Sequence, residues 1–143
     1  DEAFNAKLYD QSLTSYQNAI NIDPENLELK VKLGSAIVDR SPQPMQGISL
    51  LLEVIQKDSM HINANLALGK FGIISKQYDK AVIRLEKVLS LQPENTEALF
   101  LVAEAYSNLG DKEKAVSLLK KCKDLVENED LKKEIEAYLQ QLL

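Results

Sequence analysis

Residues 21–26 read NIDPEN and residues 90–95 read SLQPEN. Each places Pro-Glu-Asn directly after an apolar stretch, and Pro24 and Pro93 stand 69 positions apart. That distance is either one long period or two short ones of 34 and 35 residues. Two short periods require a third copy near the midpoint. Residues 57–63, KDSMHIN, supply it, with Ser59 in the place of the proline and His61 in the place of the asparagine. The chain therefore reads as a repeat of about 34 residues, with Pro24 and Pro93 as helix terminators two repeats apart.

The flanking residues set the content of each repeat. Apolar residues follow a helical period, and no segment alternates like a strand. In 95–109, NTEALFLVAEAYSNL, the residues Ala98, Leu99, Val102, Ala103 and Tyr106 fall on one face. Asn95 is a suitable N-cap, Glu97 suits the positive end of the helix dipole, and Gly110 ends the helix. A second helix is predicted from Asp111 to about Val126, with Ala115, Val116, Leu118, Leu119 and Cys122 as its apolar stripe. The same helix–turn–helix unit is predicted at 61–75 with 78–91, and at 27–39 with 45–57. At the start, a helix from about Leu8 to Ile22 is expected to be the second of a pair, with DEAFNA as the remnant of the first. At the end, Leu131, Ile135, Tyr138, Leu139 and Leu142 share one side of a closing helix. The expected divisions are a partial repeat at 1–26, repeats at 27–61, 62–95 and 96–126, and a capping helix at 127–143.

These residues resemble the tetratricopeptide (TPR) repeat, whose period is near 34 residues. Its pattern sets small residues where two helices cross, large ones beside them, and a proline after the second helix. Val102, Ala103, Tyr106, Gly110, Ala115, Leu119 and Cys122 match it in the last full repeat. Leu68, Gly69, Gly72, Ala81, Leu85, Val88 and Pro93 do so in the middle one. Leu33, Gly34, Ile37, Gly47, Leu51 and Val54 do so in the first, and Tyr9, Ser12, Tyr16, Ala19 and Pro24 in the partial one. The sequence departs from the pattern in having no Trp, and in Gly72 where the family has Tyr. The resemblance implies an all-α fold: a right-handed α-solenoid of antiparallel helix pairs in a single domain, with a C-terminal capping helix.

Composition narrows the function. With 143 residues, 45% of them hydrophobic and 27% charged, the chain is long enough for a core and too apolar for disorder. A net charge of −5 with interspersed signs argues against nucleic acid as a partner. The longest apolar run, ALFLVA at 98–103, is too short to cross a bilayer. A single cysteine, Cys122, allows no intrachain disulfide, which suits a reducing cytoplasm and equally a periplasmic protein. The start, DEAF, reads as that of an excised piece. The preference for lysine over arginine, with only Arg40 and Arg84 among 17 basic residues, points to a bacterial genome.

No motif points to catalysis, a cofactor or a metal. His61 is the lone histidine and reads as a helix-start residue, in the slot held elsewhere by Asn26 and Asn95. Cys122 reads as a buried residue at a helix crossing. Glu127, Glu129, Asp130 and Glu134 read as a solvated face, GKFG at 69–72 as helix packing, and SPQPMQG as a turn.

The TPR resemblance implies that the first helix of each pair lines a concave face. The inward positions are then Glu28, Val31, Ser35 and Val38; Asn63, Leu66, Lys70 and Ile73; and Glu97, Phe100, Glu104 and Ser107. Val31, Val38, Leu66, Ile73 and Phe100 are apolar, and Lys70, Glu97 and Glu104 rim them. The expected function is a non-catalytic interaction scaffold that binds a protein or peptide segment there. The alternative is an assembly module that forms a homodimer or joins a membrane complex. One family specialisation does not fit. The Lys/Asn clamp that grips the tails of chaperones falls at Val31, Ser35, Ala67, Glu97 and Leu101 in this sequence. A looser similarity runs to bacterial membrane-tethered TPR domains that hold unfolded clients such as apocytochrome c, and it favours a periplasmic location with the anchor removed.

Overall fold

The computed structural model describes residues 2–143 as eight α-helices, with no strand among the described residues. They are α1 (Glu2–Ile22), α2 (Leu27–Arg40), α3 (Met45–Lys57), α4 (Ile62–Ile74), α5 (Tyr78–Leu91), α6 (Thr96–Asn108), α7 (Lys112–Leu125) and α8 (Glu129–Leu142). Turns of three or four residues join them, short enough to return the chain antiparallel to itself. The helices form two compact units, Asp1–Ala64 and Asn65–Leu143, and α4 carries the division between them.

The repeated stretches fold alike. The backbone N–H of Asn26 donates to Asp23 O, that of His61 to Asp58 O, and that of Asn95 to Gln92 O, at 3.0–3.2 Å. Each is the closing bond of a four-residue turn whose second position is Pro24, Ser59 or Pro93. Proline's fixed φ suits that position, and serine is compatible with it. The fourth residue then caps the next helix. Asn26 Oδ1 accepts from Leu29 N, His61 Nδ1 from Ala64 N, and Asn95 Oδ1 from Ala98 N. Asp111 and Asn128 cap α7 and α8 in the same way. KDSMHIN is thus a structural copy of the two Pro-Glu-Asn stretches.

In the first unit α2 packs on α3 and α1 on α2. The α2–α3 crossing is closest at two glycines. A Cβ on Gly47 would lie 2.5 Å from Gly34 O, and one on Gly34 2.9 Å from Gly47 O. Leu33, Val31, Ile48, Leu51 and Val54 fill the space around them. The start of the chain differs from the expectation. DEAFNA is not the end of a separate helix, because α1 runs unbroken from Glu2 to Ile22. No proline or glycine interrupts residues 2–22, so nothing in the sequence stops the helix before Pro24. None of α1 is buried, and Phe4 and Leu8 are exposed.

In the second unit α5 packs on α6, α6 on α7 and α7 on α8. Gly69 and Gly72 of α4 face Leu85 and Ala81 of α5, so GKFG is indeed helix packing. Gly110 ends the α6 turn with φ +92°, a conformation that side chains other than glycine rarely adopt. A core of Leu99, Ala103, Leu119, Cys122, Val126, Ile135 and Leu139 joins α6, α7 and α8. Leu131, Tyr138 and Leu142 pack against it, so the expected stripe of the closing helix lies entirely on this core.

Candidate functional site

The inward positions named from the sequence fall into three classes of exposure. Asn63, Lys70 and Glu97 are exposed, and so is Glu28. Ser35, Val38, Leu66, Phe100, Glu104 and Ser107 are half-buried. Val31 and Ile73 are buried, at 4% and 9% exposure, so as they stand they offer little area to a ligand. In the first unit α2 presents Ser35 and Val38. In the second, α4 presents Leu66 and Lys70, and α6 presents Glu97, Phe100, Glu104 and Ser107.

The α6 face has the most developed chemistry. Phe100 meets Tyr138 of α8 edge to face, with ring centroids 6.0 Å apart. This geometry sets the positive ring edge against the negative ring face. Glu104 follows one helical turn after Phe100, on the same side of α6. Burial holds its carboxyl above the usual range for glutamate. Its backbone carbonyl accepts from Asn108 Nδ2, while its carboxylate has no hydrogen bond or ion pair among the described residues. Tyr138 was legible only as a stripe residue of the closing helix. Its place beside Phe100 depends on how α8 folds back, which periodicity does not encode.

Tyr106 belongs to a different side of α6. Its hydroxyl donates to Glu86 Oε1 at 2.9 Å, and the Lys114 ammonium lies 4.5 Å from its ring centroid. Burial leads the causes that raise its phenol pKa. These contacts tie α6 to α5 and α7.

The residues weighed for catalysis have structural places. His61 Nδ1 accepts the α4 capping bond, so the ring's proton sits on Nε2, 2.7 Å from Glu28 Oε1. Cys122 is fully buried, its Sγ donates to Thr96 O at 3.4 Å, and burial pushes its thiol pKa up. A thiol in that state is a poor nucleophile. Glu127, Glu129, Asp130 and Glu134 are exposed. Among the described residues, no three His, Cys, Asp or Glu side chains converge to hold a metal ion, and no helix is long and apolar enough to cross a membrane.

Two clefts were not visible in the sequence. One, of about 340 Å³, lies between α1 and α2 and is lined by Tyr9, Ser12, Tyr16, Asp39 and Arg40. The other, of about 540 Å³, lies between α7 and α8 over Val116 and Leu142, with Lys112 and Lys120 beside it. Both depend on helix pairings that a linear pattern does not specify.

Comparison with known proteins agrees with this architecture. Residues 75–133 match the family described as anaphase-promoting complex, cyclosome, subunit 3, a TPR-type repeat. The peroxisomal targeting signal receptor of Debaryomyces hansenii is 32% identical over 79 residues, which is 55% of this chain; the chain spans 13% of that receptor's length. Among solved structures, MamA residues 41 to the end from Desulfovibrio magneticus RS-1 superimpose with TM-score 0.82 at 18% identity, covering 99% of this chain and 77% of that one. A MamA variant gives TM-score 0.75 at 24% identity, covering 96% of this chain and 79% of that one. Repeat period, turn-and-cap chemistry, helix pairing and these likenesses agree on the fold: the chain folds as a helical repeat of the tetratricopeptide type.

Proposed function

We propose that this protein is a non-catalytic scaffold that holds a segment of a partner protein against the inward face of the first helix of its pairs. TPR-type repeats are typical of protein–protein interaction scaffolds. The observation that carries the reading is the α6 face of the second unit. There Phe100 packs at the edge of the core that Leu99, Ala103, Leu119 and Cys122 form and still keeps part of its surface exposed, as does Glu104 one turn on. An apolar and charged strip of this kind suits an extended or helical segment. The local match to a protein named as a receptor for a targeting signal supports a segment-holding role. Leu66 and Lys70 of α4 and, in the first unit, Ser35 and Val38 of α2 occupy the corresponding positions of their repeats.

The test is affinity capture with the wild-type chain and with the double variant Leu66→Asp/Phe100→Asp, circular dichroism confirming that both are helical. A protein retained by the wild type and lost by the folded variant is the expected result. Retention of the same proteins by both would contradict the site. A dimer of the wild type that the variant abolishes would replace a foreign segment by a second copy.

A further inference from the structure

Several surface carboxylates of this protein are paired with a lysine. Glu25 accepts from Lys57 at 2.6 Å, Glu53 lies 3.4 Å from Lys30, and Glu136 lies 3.1 Å from Lys123. The carboxylates in these pairs keep half or more of their side-chain surface in water, where pairing contributes little. Glu104 is the reverse case. It is half-buried on α6, and its carboxylate meets no cation among the described residues. Taking a charge out of water without a counter-charge costs free energy. The cost is removed when a cation arrives with a ligand.

The setting fits such a cation. Phe100, one turn away on the same side of α6, is in edge contact with Tyr138, so two aromatic rings stand beside the carboxylate's helix face. Aromatic rings attract ammonium and guanidinium groups, and they pack the aliphatic stem of a lysine or arginine. Glu97, exposed two turns before Glu104, adds a second negative charge to this face, and α6 itself carries no lysine or arginine.

We propose that the Glu104 carboxylate, beside the Phe100–Tyr138 pair, receives a lysine or arginine side chain of the bound partner segment. The inference rests on the scaffold reading and adds the partner's chemistry: a basic residue flanked by apolar ones.

The test is selection of a random dodecapeptide library displayed on phage against the immobilised full chain, in the wild type, Glu104→Gln and Glu104→Lys, all checked for helicity. Wild type is expected to enrich one Lys or Arg position among apolar residues. Glu104→Gln keeps the apolar preference, loses the basic position, and binds the best wild-type peptide about 10-fold more weakly, as expected for loss of one partly desolvated charge pair. Glu104→Lys favours Asp or Glu at that position. A consensus without a basic residue, or the same basic consensus from wild type and Glu104→Gln, overturns the assignment of Glu104 while leaving the scaffold reading intact. Enrichment of no peptide contradicts both. A wild-type dimer in sedimentation that Glu104→Gln weakens overturns the proposal in favour of a second copy of the chain.

Discussion

Single residues carry most of the specification of this fold, and the glycines show how. Gly34 and Gly47 let two backbones meet, whereas Gly69 faces a side chain, with Leu85 Cγ 2.6 Å from where a Cβ would stand. Backbone cannot yield as a side chain can. Gly47→Ala is therefore expected to cost more than Gly69→Ala, both within about 1–3 kcal/mol for overpacking. Urea denaturation of the two variants checks the order, and equal midpoints would show that the α2–α3 crossing relaxes freely. Glu104 gives a second prediction. Its pKa is raised in the folded state above the ordinary 4.5, so the folded protein binds this proton more tightly than the unfolded one. Its unfavourable contribution is then fully present at neutral pH and is relieved as pH falls through the folded pKa. Glu104→Gln is expected to raise the melting temperature at neutral pH, with a gain that shrinks as the pH approaches 4.5 from above. A variant that melts lower at pH 7 contradicts this.

At the scale of the element, the helix starts were legible because they are local. An Asn, Asp or His that accepts a hydrogen bond from the backbone N–H three residues on is a sequence signal, and α2, α4, α6, α7 and α8 all begin on one. The expected boundaries of the pairs hold to within a residue for the same reason. The continuous α1 was missed because the repeat pattern imposed a break on residues that contain no breaker. The closing helix was legible as a stripe, since all five of its apolar positions recur at helical spacing. Its energetic part follows from burial: Ile135 is fully buried among Leu99, Leu119 and Cys122. Ile135→Ala is expected to destabilise by about 2–5 kcal/mol, the range for a truncated core isoleucine. A loss below about 0.5 kcal/mol would mean that α8 is dispensable to the core, because even Ile→Val truncations usually cost that much.

At the scale of the whole molecule, the repeat period decided the fold class, and the chemistry of the inward face came only with the structure. Periodicity places Val31 and Ile73 on the same register as Phe100 and Glu104. It does not tell which of them the neighbouring helices cover, and that depends on packing partners distant in sequence. Val31 and Ile73 are buried by such partners, while Phe100 gains Tyr138 from a helix nearly 40 residues away and Glu104 gains no counter-ion. The proposed face is therefore narrower than the sequence suggested, and the proposal centres it on α6 of the second unit. The most direct measurement of the central claim is an amide and methyl chemical-shift map of the wild-type chain, titrated with a peptide selected on it. Perturbations concentrated at Leu66, Phe100, Glu104 and Ser107 are the predicted result. Perturbations confined to α5 and α7, with that face unchanged, would contradict the account.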